Sequence, residues 1–303
     1  MSRRKKGDPV HGWVFLDKPL GLGSTQAVSL VRRAFNAQKA GHAGTLDPLA
    51  TGLLAVALGE ATKTVPYMMD ADKTYLFTVR WGITTSTGDA DERGEVIATS
   101  DVRPLHADIE SVLARFTGEI EQVPPAFSAI KVDGQRAYDL ARAGQDVDMK
   151  SRMVRIESLR LVECHDDDHA TFEVTCSKGT YVRSLGQDIA RALGAEGHLS
   201  ELRRTATGGI DASGAISPDA LEGQDDDARA SVLQPLDAVL AHMARIELTT
   251  DQAGRVAHGN PVMLLPDQLL PSAEEALLTH LGKPLAIAML DGPAAKPARV
   301  FNL

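Results

Sequence analysis

The stretch GHAGTLDPLATG, residues 41–52, governs the interpretation of this chain because packing alone explains it poorly. Its three glycines permit positive φ and a close approach by another part of the backbone. Pro48 disfavours a helical conformation at the residue before it, so Asp47 is expected on a stiff, extended part of a loop. A rigid loop that presents one carboxylate is typical of a catalytic group. An ordinary connection whose aspartate caps a neighbouring element explains the same spacing equally well.

The segments around this loop predict alternating strands and helices. Residues 12–19 and 53–58 are apolar runs typical of buried strands, and residues 73–82 place large apolar side chains on one face of a strand. The polar stretch 84–96 indicates a loop or hairpin. Further strands are predicted at 153–163, 170–177 and 199–208, and helices at 25–36 with Ser24 as cap, 60–70, 105–117 and, after a turn, within 178–194. The expected fold class is α/β, an α+β arrangement with a mixed sheet.

The length of 303 residues favours two domains. Residues 211–230 are rich in Asp, Gly, Ser and Ala, which is typical of a linker between a first domain over 1–210 and a second one. Short strand-like pieces separated by Gly and Pro predict a small, mostly β domain at 231–303. Within the first domain, residues 123–150 begin with prolines and then become basic, so we interpret them as a projecting insertion with a short helix at 136–143.

The composition is that of a soluble globular protein, with 43% hydrophobic and 24% charged residues. No apolar run approaches the roughly 20 residues that span a bilayer. The basic N-terminus lacks the apolar region of a signal peptide. Cys164 and Cys176 are the two cysteines, and neither belongs to a CxxC motif, so both are expected to be reduced and buried. We therefore expect a cytoplasmic protein without a membrane partner.

The charge is distributed unevenly along the chain. The net charge is −9, but residues 211–303 hold 6 Lys and Arg against 13 Asp and Glu, whereas residues 1–40 hold 8 against 2. A locally basic surface is what phosphate binding requires, and the global charge is secondary. The N-terminal part therefore remains compatible with a nucleic-acid partner, although its first basic run alone resembles a solvated tail.

Several functional signatures fail on inspection of the sequence. A GxGxxG motif begins at Gly21 but has Gln26 in its third position, and the chain has no P-loop and no GxSxG elbow. The run HDDDH at 165–169 lies between two predicted strands, where a solvated hairpin tip is favoured over a metal site. A glycosidase would pair Asp47 with a second carboxylate such as Asp89 or Asp91, but nothing in the sequence sets their separation.

The loop GHAGTLDPLATG closely resembles the catalytic motif of the TruB family of tRNA pseudouridine synthases. Further segments resemble that family in the same order along residues 11–210: HGWVFLDKPLGLGST (11–25), KTYLF (73–77), TTSTGDAD (84–91), SKGTYVRSLGQDI (177–189) and LRRTATGG (202–209). Several ordered motifs are far more specific than any one of them. The resemblance implies a pseudouridine-synthase-like catalytic domain, with residues 123–150 as its thumb, and a C-terminal PUA-like domain.

This resemblance also implies a reaction. The family isomerises a uridine in the T-loop of tRNA, at position 55, and replaces the N1 glycosidic bond by a C5–C1′ bond without a cofactor or metal. Asp47 matches the catalytic aspartate, which either attacks the sugar or abstracts a proton to form a glycal. Arg183 matches the arginine paired with that aspartate, and Tyr75 matches a tyrosine that stacks on the target base and handles protons. On the residues alone, the alternatives are a surface helix residue for Arg183 and a core strand tyrosine for Tyr75.

Other residues match positions that bind the substrate. The resemblance implies that His42 fills the gap left by the flipped nucleotide, that Tyr181 lines the uracil pocket and that Asp89 contacts the flipped nucleotides. The candidates for phosphate contacts are Lys18, Lys63, Lys131, Arg136 and Arg142, of which the last three lie in the insertion. The acidic character of the C-terminal domain departs from the expected broad contact with RNA.

The expected partner is thus the T-arm of tRNA, and the protein is expected to act as a monomer without an obligate protein partner. Two alternatives remain open on the sequence. One is a noncatalytic RNA-binding or tRNA-folding module that keeps the scaffold. The other is a nucleic-acid glycosylase, which would release free uracil.

Overall fold

The computed structural model describes residues 7–92, 94–128, 130–132, 135–137, 140, 149–270 and 272–303. The elements up to residue 211 are β1 (Gly12–Lys18), α1 (Ser24–Ala34), β2 (Ala40–Ala43), β3 (Ala50–Leu58), α2 (Val65–Asp70), β4 (Lys73–Trp81), β5 (Ile83–Thr85), β6 (Val96–Thr99), α3 (His106–Leu113), β7 (Gly118–Gln122), β8 (Lys131–Val132), β9 (Gln135–Arg136), β10 (Arg152–Cys164), β11 (His169–Cys176), α4 (Val182–Ala192), β12 (Gly197–Thr207) and β13 (Ile210–Asp211). The later elements are α5 (Pro218–Glu222), α6 (Asp226–Val232), β14 (Arg245–Glu247), α7 (Thr250–Ala257), β15 (Val262–Met263), β16 (Glu275–His280), β17 (Lys283–Asp291) and β18 (Ala294–Val300).

One nine-stranded sheet organises the first part of the chain. Seven strands follow the order β1-β3-β12-β4-β11-β10-β7, while β2 pairs with β3 and β13 pairs with β12. The pairs along this order are antiparallel except β12 with β3, which is parallel. The mixed sheet predicted from the sequence is thus confirmed. The interior strand β12 lies between β3 and β4. The stretch 41–52, called the glycine loop below, leads into β3.

Two apolar clusters pack against this sheet. Phe77 of β4 stacks on Phe172 of β11 with ring centroids 5.2 Å apart, and both side chains pack with Leu185 and Ile189 of α4. Val31 of α1 belongs to a second cluster with alternate residues of β1 and β3. Because β1 is apolar on both faces, it lies between two layers, which agrees with its continuous apolar sequence.

The C-terminal part forms a separate sheet of five strands in the order β14-β16-β17-β18-β15. The small, mostly β unit expected after the first sheet is therefore present, with α7 packed on it. A third cluster joins the two parts, because Trp13 of β1 packs with Leu240 and Phe301. The indole Nε1 of Trp13 also donates to the carbonyl of Leu236 at 3.2 Å.

Some local predictions differ from the structure. The helix expected over 60–70 begins as a 3-10 helix at Gly59–Lys63 before α2, and the stretch 211–230 contains α5, whose Leu221 is fully buried. The sequence predicts a helix at 136–143, but Arg136 belongs to the strand β9. Residues 138, 139 and 141–143 of this segment lie outside the described residues. Cys164 is exposed at the end of β10, whereas Cys176 is buried as expected.

Among the described residues, no helix combines the length and the apolar character required to cross a membrane.

Candidate active site

The glycine loop runs between β2 and β3 and is fastened to the start of α1. The Ser24 hydroxyl donates to the carbonyl of Leu46 at 2.7 Å, and the amide of Leu46 donates back to this hydroxyl at 2.9 Å. The predicted capping role of Ser24 is therefore wrong: Gly23 occupies the N-cap, and the buried Ser24 side chain binds the loop instead. These bonds fix Leu46, so the backbone is held on the N-terminal side of Asp47.

A buried lysine holds the other side of the same turn. Nζ of Lys18 donates to the carbonyls of Leu22, Pro19 and Pro48 at 2.7, 3.0 and 3.3 Å. The carbonyl of Pro48 also accepts from the amide of Gly21 at 2.8 Å. Burial lowers the pKa of Lys18 to about 8, although the nearby Asp47 acts in the opposite direction. The turn that carries Asp47 is consequently fixed before and after the carboxylate.

Asp47 meets Arg183 at the first turn of α4. Nη2 of Arg183 lies 2.9 Å from Oδ2 of Asp47, and the side chain of Arg183 is 6% exposed while that of Asp47 is 41% exposed. The guanidinium also donates to the carbonyls of Thr87 at 2.7 Å and Phe127 at 2.9 Å. Two backbone carbonyls thus orient the guanidinium toward the carboxylate, which excludes the alternative of a surface arginine. The carboxylate of Asp47 nevertheless remains accessible to water.

Asp89 lies beside the same guanidinium. Its Oδ2 is 3.9 Å from Nε of Arg183, and its side chain is 15% exposed. The loop that carries Asp89 docks on β12, since the amide of Leu199 donates to the carbonyl of Gly88 at 3.0 Å. Thr85 fixes the loop internally by donating to the carbonyl of Asp89 at 2.7 Å.

These side chains surround one cleft at the end of the first sheet. The charged groups of its lining are Asp47, Asp89, Glu201 and Arg183. The apolar part comes from Leu49, Ala50, Ala90, Leu199 and Leu202, and Ser200 completes the lining. The cleft therefore combines the half-exposed carboxylate of Asp47 with a buried cation and a largely apolar remainder. Such a surface can hold a planar base beside a reactive carboxylate.

Tyr75 and His42 lie close to a second buried guanidinium, that of Arg204. Burial raises the pKa of the half-buried Tyr75, and the charge of Arg204 and a side-chain hydrogen bond with it oppose the rise. Burial and the same charge lower the pKa of His42. Nδ1 of His42 is buried and has no hydrogen-bond partner among the described residues. An imidazole in this position is neutral near pH 7.

Tyr181 lies at the N-cap of α4, two residues before Arg183. The side chain of Gln122 fixes its backbone, accepting from the amide of Tyr181 at 2.7 Å and donating to its carbonyl at 3.1 Å. The guanidinium of Arg152 lies over the ring, 4.9 Å from its centroid. The ring is therefore held by an arginine, but it is not among the residues that line the cleft around Asp47.

Comparison with known proteins identifies this arrangement. Residues 32–182 match the N-terminal domain of the TruB family of pseudouridylate synthases, and residues 183–241 match the C-terminal domain of tRNA pseudouridylate synthase B. The tRNA pseudouridine synthase B of Caulobacter vibrioides is 50% identical over all of both chains.

The chain belongs to the TruB family.

Other relatives extend the likeness. The tRNA pseudouridine synthase B of Cereibacter sphaeroides is 49% identical over the full length of both chains, and that of Brucella anthropi is 49% identical over 100% of this chain and 99% of its own. A solved Cbf5–Nop10–Gar1 complex contains a chain with 25% identity and a TM-score of 0.71, covering 96% of this chain and 85% of that one. An H/ACA ribonucleoprotein bound to a substrate RNA shares the fold at 22% identity with a TM-score of 0.72, over 100% and 92% of the two chains.

The lysines and arginines predicted to contact phosphate fall into different places in this TruB-family chain. Lys18 is fully buried, so its position gives no support to a phosphate contact. Lys63 is engaged with Glu60 at 2.5 Å and with the carbonyl of Val300 at 2.6 Å. Lys131 and Arg136 are opposite each other in the β8–β9 pair, and Arg142 lies outside the described residues.

The sequence did not indicate Arg204 as part of the site. This residue belongs to the segment LRRTATGG, which resembles the TruB family, but two adjacent arginines gave no sign of which one turns inward. Arg204 is fully buried, whereas Arg203 forms a part-exposed pair with Asp17. The turn 165–169 does not contribute to the lining of the cleft. In the described part of the chain, no group of three or more His, Cys, Asp and Glu side chains could hold a metal ion.

Proposed function

We propose that this protein converts uridine to pseudouridine in the T-loop of tRNA, at position 55. The observation that carries the proposal is the 2.9 Å pair between Asp47 and the buried Arg183 in a cleft of a TruB-family chain. Two backbone carbonyls orient the guanidinium of Arg183, and the guanidinium in turn positions the carboxylate of Asp47. A module that only binds RNA does not need a carboxylate positioned in this way. Relatives with full-length similarity are tRNA pseudouridine synthases, which supports the same substrate class.

The proposed reaction begins with cleavage of the bond between C1′ of the ribose and N1 of uracil. The bonding electrons leave with the base, and Asp47 acts at the sugar either as a nucleophile at C1′ or as a base that removes the C2′ proton. After the base rotates, C5 bonds to C1′ while the bond from Asp47 to C1′ breaks or, in the second route, while Asp47 returns the proton to C2′. The C5 proton is released and N1 takes up a proton, so the product nucleotide is an isomer of the starting one. Deuterium at C2′ separates the two routes, because turnover slows when that bond breaks in the limiting step.

The proposed roles of the surrounding groups follow from their charge. Arg183 orients Asp47 through their ion pair. Tyr75 stacks on the base and takes part in the transfer of the C5 proton, and burial raises the pKa of its phenol. Asp89 contacts the flipped nucleotides. Its carboxylate lies 3.9 Å from Nε of Arg183, and we assign it to substrate binding rather than to a second catalytic role.

A base inside the T-loop must leave its stack before Asp47 reaches the sugar, at a cost of a few kcal/mol. We assign His42 to fill the gap, because a neutral imidazole stacks on bases without carrying its own charge into the RNA. Tyr181 lines the pocket for uracil once the substrate is bound. The half-exposed Asp47 supports this order of events, since the RNA itself would then exclude water from the carboxylate.

We further assign residues 1–210 to the catalytic domain with a thumb at 123–150, residues 211–230 to the linker and residues 231–303 to a PUA-like domain. Lys131, Arg136 and Arg142 supply phosphate contacts from the thumb. The five-stranded sheet supports the assignment of the last domain, whose acidic charge favours few phosphate contacts. We also propose that the protein acts in the cytoplasm as a monomer. Sedimentation with and without tRNA tests the monomer.

The test of the reaction uses unmodified tRNA with tritium at C5 of uracil. Tritium release without free uracil supports isomerisation. Free uracil would establish a glycosylase, and tRNA binding without any release would establish a binding module. The uridine at position 55 is then replaced by cytidine, which should abolish the release; undiminished release would refute the assigned position.

The Asp47→Asn variant tests the catalytic carboxylate. It should retain tRNA binding and lose more than about a thousandfold in turnover, because the amide neither attacks the sugar nor accepts its proton. Asp291→Asn is the matched control, since Asp291 is 73% exposed and pairs with Lys296 of the C-terminal sheet. Turnover by Asp47→Asn at the rate of the control would overturn the mechanism.

A further inference from the structure

Arg204 occupies the middle of the first sheet although it carries a full charge. It is 1% exposed and lies on β12 between two strands, opposite Gly52 of β3 and Tyr75 of β4. The pairing with β4 changes register just after Arg204, and such a bulge alters the direction of neighbouring side chains. A buried charge of this kind is costly unless hydrogen bonds satisfy it.

The hydrogen bonds of this guanidinium reach both ends of the loop that carries Asp47. Nη2 donates to the carbonyl of Gly44 at 3.1 Å, three residues before Asp47. Nε donates to the carbonyl of Leu53 at 2.7 Å, where the chain has entered β3. Since a guanidinium is planar and rigid, these two bonds set the separation of the two ends of the loop.

The glycines at both ends are explained by the same residue. Gly52 has φ +96°, and a Cβ there would lie 2.2 Å from the carbonyl oxygen of Arg204. Gly44 has φ +83°, and a Cβ there would lie 3.3 Å from Nη1 of Arg204. By contrast, a Cβ on Gly41 would meet nothing within 4 Å. Gly52 is therefore required by the backbone of β12 at Arg204, whereas the lack of a side chain at Gly44 leaves room for the guanidinium.

We propose that Arg204 is a positioning residue, which holds the loop from Gly44 to Leu53 in the conformation that aims Asp47 at the substrate. This assignment rests on the proposed function. Arg204 acts through the loop and through Tyr75 rather than on the reacting atoms. Its influence on both Tyr75 and His42 supports a shared setting for these groups.

The Arg204→Lys variant tests the assignment while keeping the charge. A single ammonium cannot reproduce the spacing of Nε and Nη2, so the loop loses one of its two anchors. We expect kcat to fall by about 10- to 100-fold, with KM for tRNA changed by less than about threefold, because misplacement of a catalytic group affects the chemical step. Arg203→Lys is the matched control; its side chain is 40% exposed, pairs with Asp17 and should leave turnover unchanged.

Hydrogen exchange distinguishes positioning from general destabilisation. In Arg204→Lys the amides of residues 44–47 should exchange faster, while those of the β4–β11 pair keep their protection. Activity that falls only in proportion to the folded fraction, with no local change at 44–47, would overturn the proposal. So would a variant that equals the wild type in both kcat and loop exchange.

A second variant covers the case in which Arg204→Lys does not fold. The Gly44→Ala variant perturbs the contact between Gly44 and the guanidinium of Arg204 by adding a Cβ to the loop. It should lower kcat and speed amide exchange at residues 44–47, while tRNA binding persists. Wild-type kcat and exchange in that variant would overturn the proposal. A wild-type protein without tritium release would refute the proposed function alone, since the exchange measurements still report whether Arg204 holds the loop.

Discussion

Replacing Arg183 by lysine separates the two kinds of contact that this residue makes. The guanidinium donates to two backbone carbonyls and pairs with Asp47, all within 2.9 Å. Lysine keeps the charge but has a single donor nitrogen, so we expect it to donate to only one of the two carbonyls. The other carbonyl then loses a donor that it holds in a buried setting, which costs about 1–3 kcal/mol of stability.

The ion pair contributes much less to stability. The side chain of Asp47 is 41% exposed, so water stabilises its carboxylate when the partner is gone, and the pair is worth at most about 1 kcal/mol after this screening. Arg183→Lys should therefore lower the free energy of unfolding by about 1–4 kcal/mol, and Asp47→Asn by less than about 1 kcal/mol. Turnover should fall about 100-fold in Arg183→Lys, equivalent to about 2.7 kcal/mol in the barrier.

Urea denaturation of the two single variants and the double variant measures these quantities, together with tritium release from tRNA. Arg191→Lys on the same helix is the control, because Arg191 is 58% exposed and should change stability by less than about 0.5 kcal/mol. Equal destabilisation by Asp47→Asn and Arg183→Lys would show that the ion pair dominates and would refute this ranking. Turnover of tRNA by Arg183→Lys within twofold of the wild type would refute the predicted loss of activity.

Three further outcomes are expected. The pKa of Lys18 is lowered to about 8, so between pH 8 and about 10.5 only the unfolded chain keeps this proton. The free energy of unfolding of the wild type should therefore rise with pH relative to that of Lys18→Met, as urea titrations will measure. A difference between the two proteins that stays constant with pH would contradict the burial of the ammonium. Gly52→Ala should lose more than about 3 kcal/mol through backbone overlap and positive φ, whereas Gly41→Ala should lose less than about 1 kcal/mol, as denaturation midpoints will show. A thiol reagent should modify Cys164 in the native protein but should modify Cys176 only after denaturation, because burial raises the pKa of the Cys176 thiol to about 11. Equal rates of modification of the two thiols in the native protein would refute the difference in burial.

The sheet could be predicted because its strands carry strong local signals. Apolar runs and alternation placed β1, β3, β4 and β11 to within a few residues, and Asp47 could be singled out because glycine and proline constrain its loop. The short helices within 211–230 gave no such signal, since α5 has five residues and few apolar positions. A helix that short reveals no periodicity even when one of its leucines is fully buried.

Buried charges were the larger source of error. A lysine is expected at the surface by default, and the burial of Lys18 depends on three carbonyls that the folded turns bring together. Arg203 and Arg204 are neighbours on one strand, so their side chains point to opposite faces. The sequence does not state which face meets the loop, because that depends on the pairing of β12 with β3.

The cluster that joins Trp13 to Phe301 has a consequence for how the molecule is made. Nearly the whole chain separates these residues in sequence, and loop closure over such a distance slows folding. At ribosomal rates the apolar face of β1 waits on the order of tens of seconds for its covering residues. During that interval the nascent first sheet exposes an unpartnered apolar surface, so the yield of active protein should depend on chaperone capacity and on translation speed over the C-terminal part.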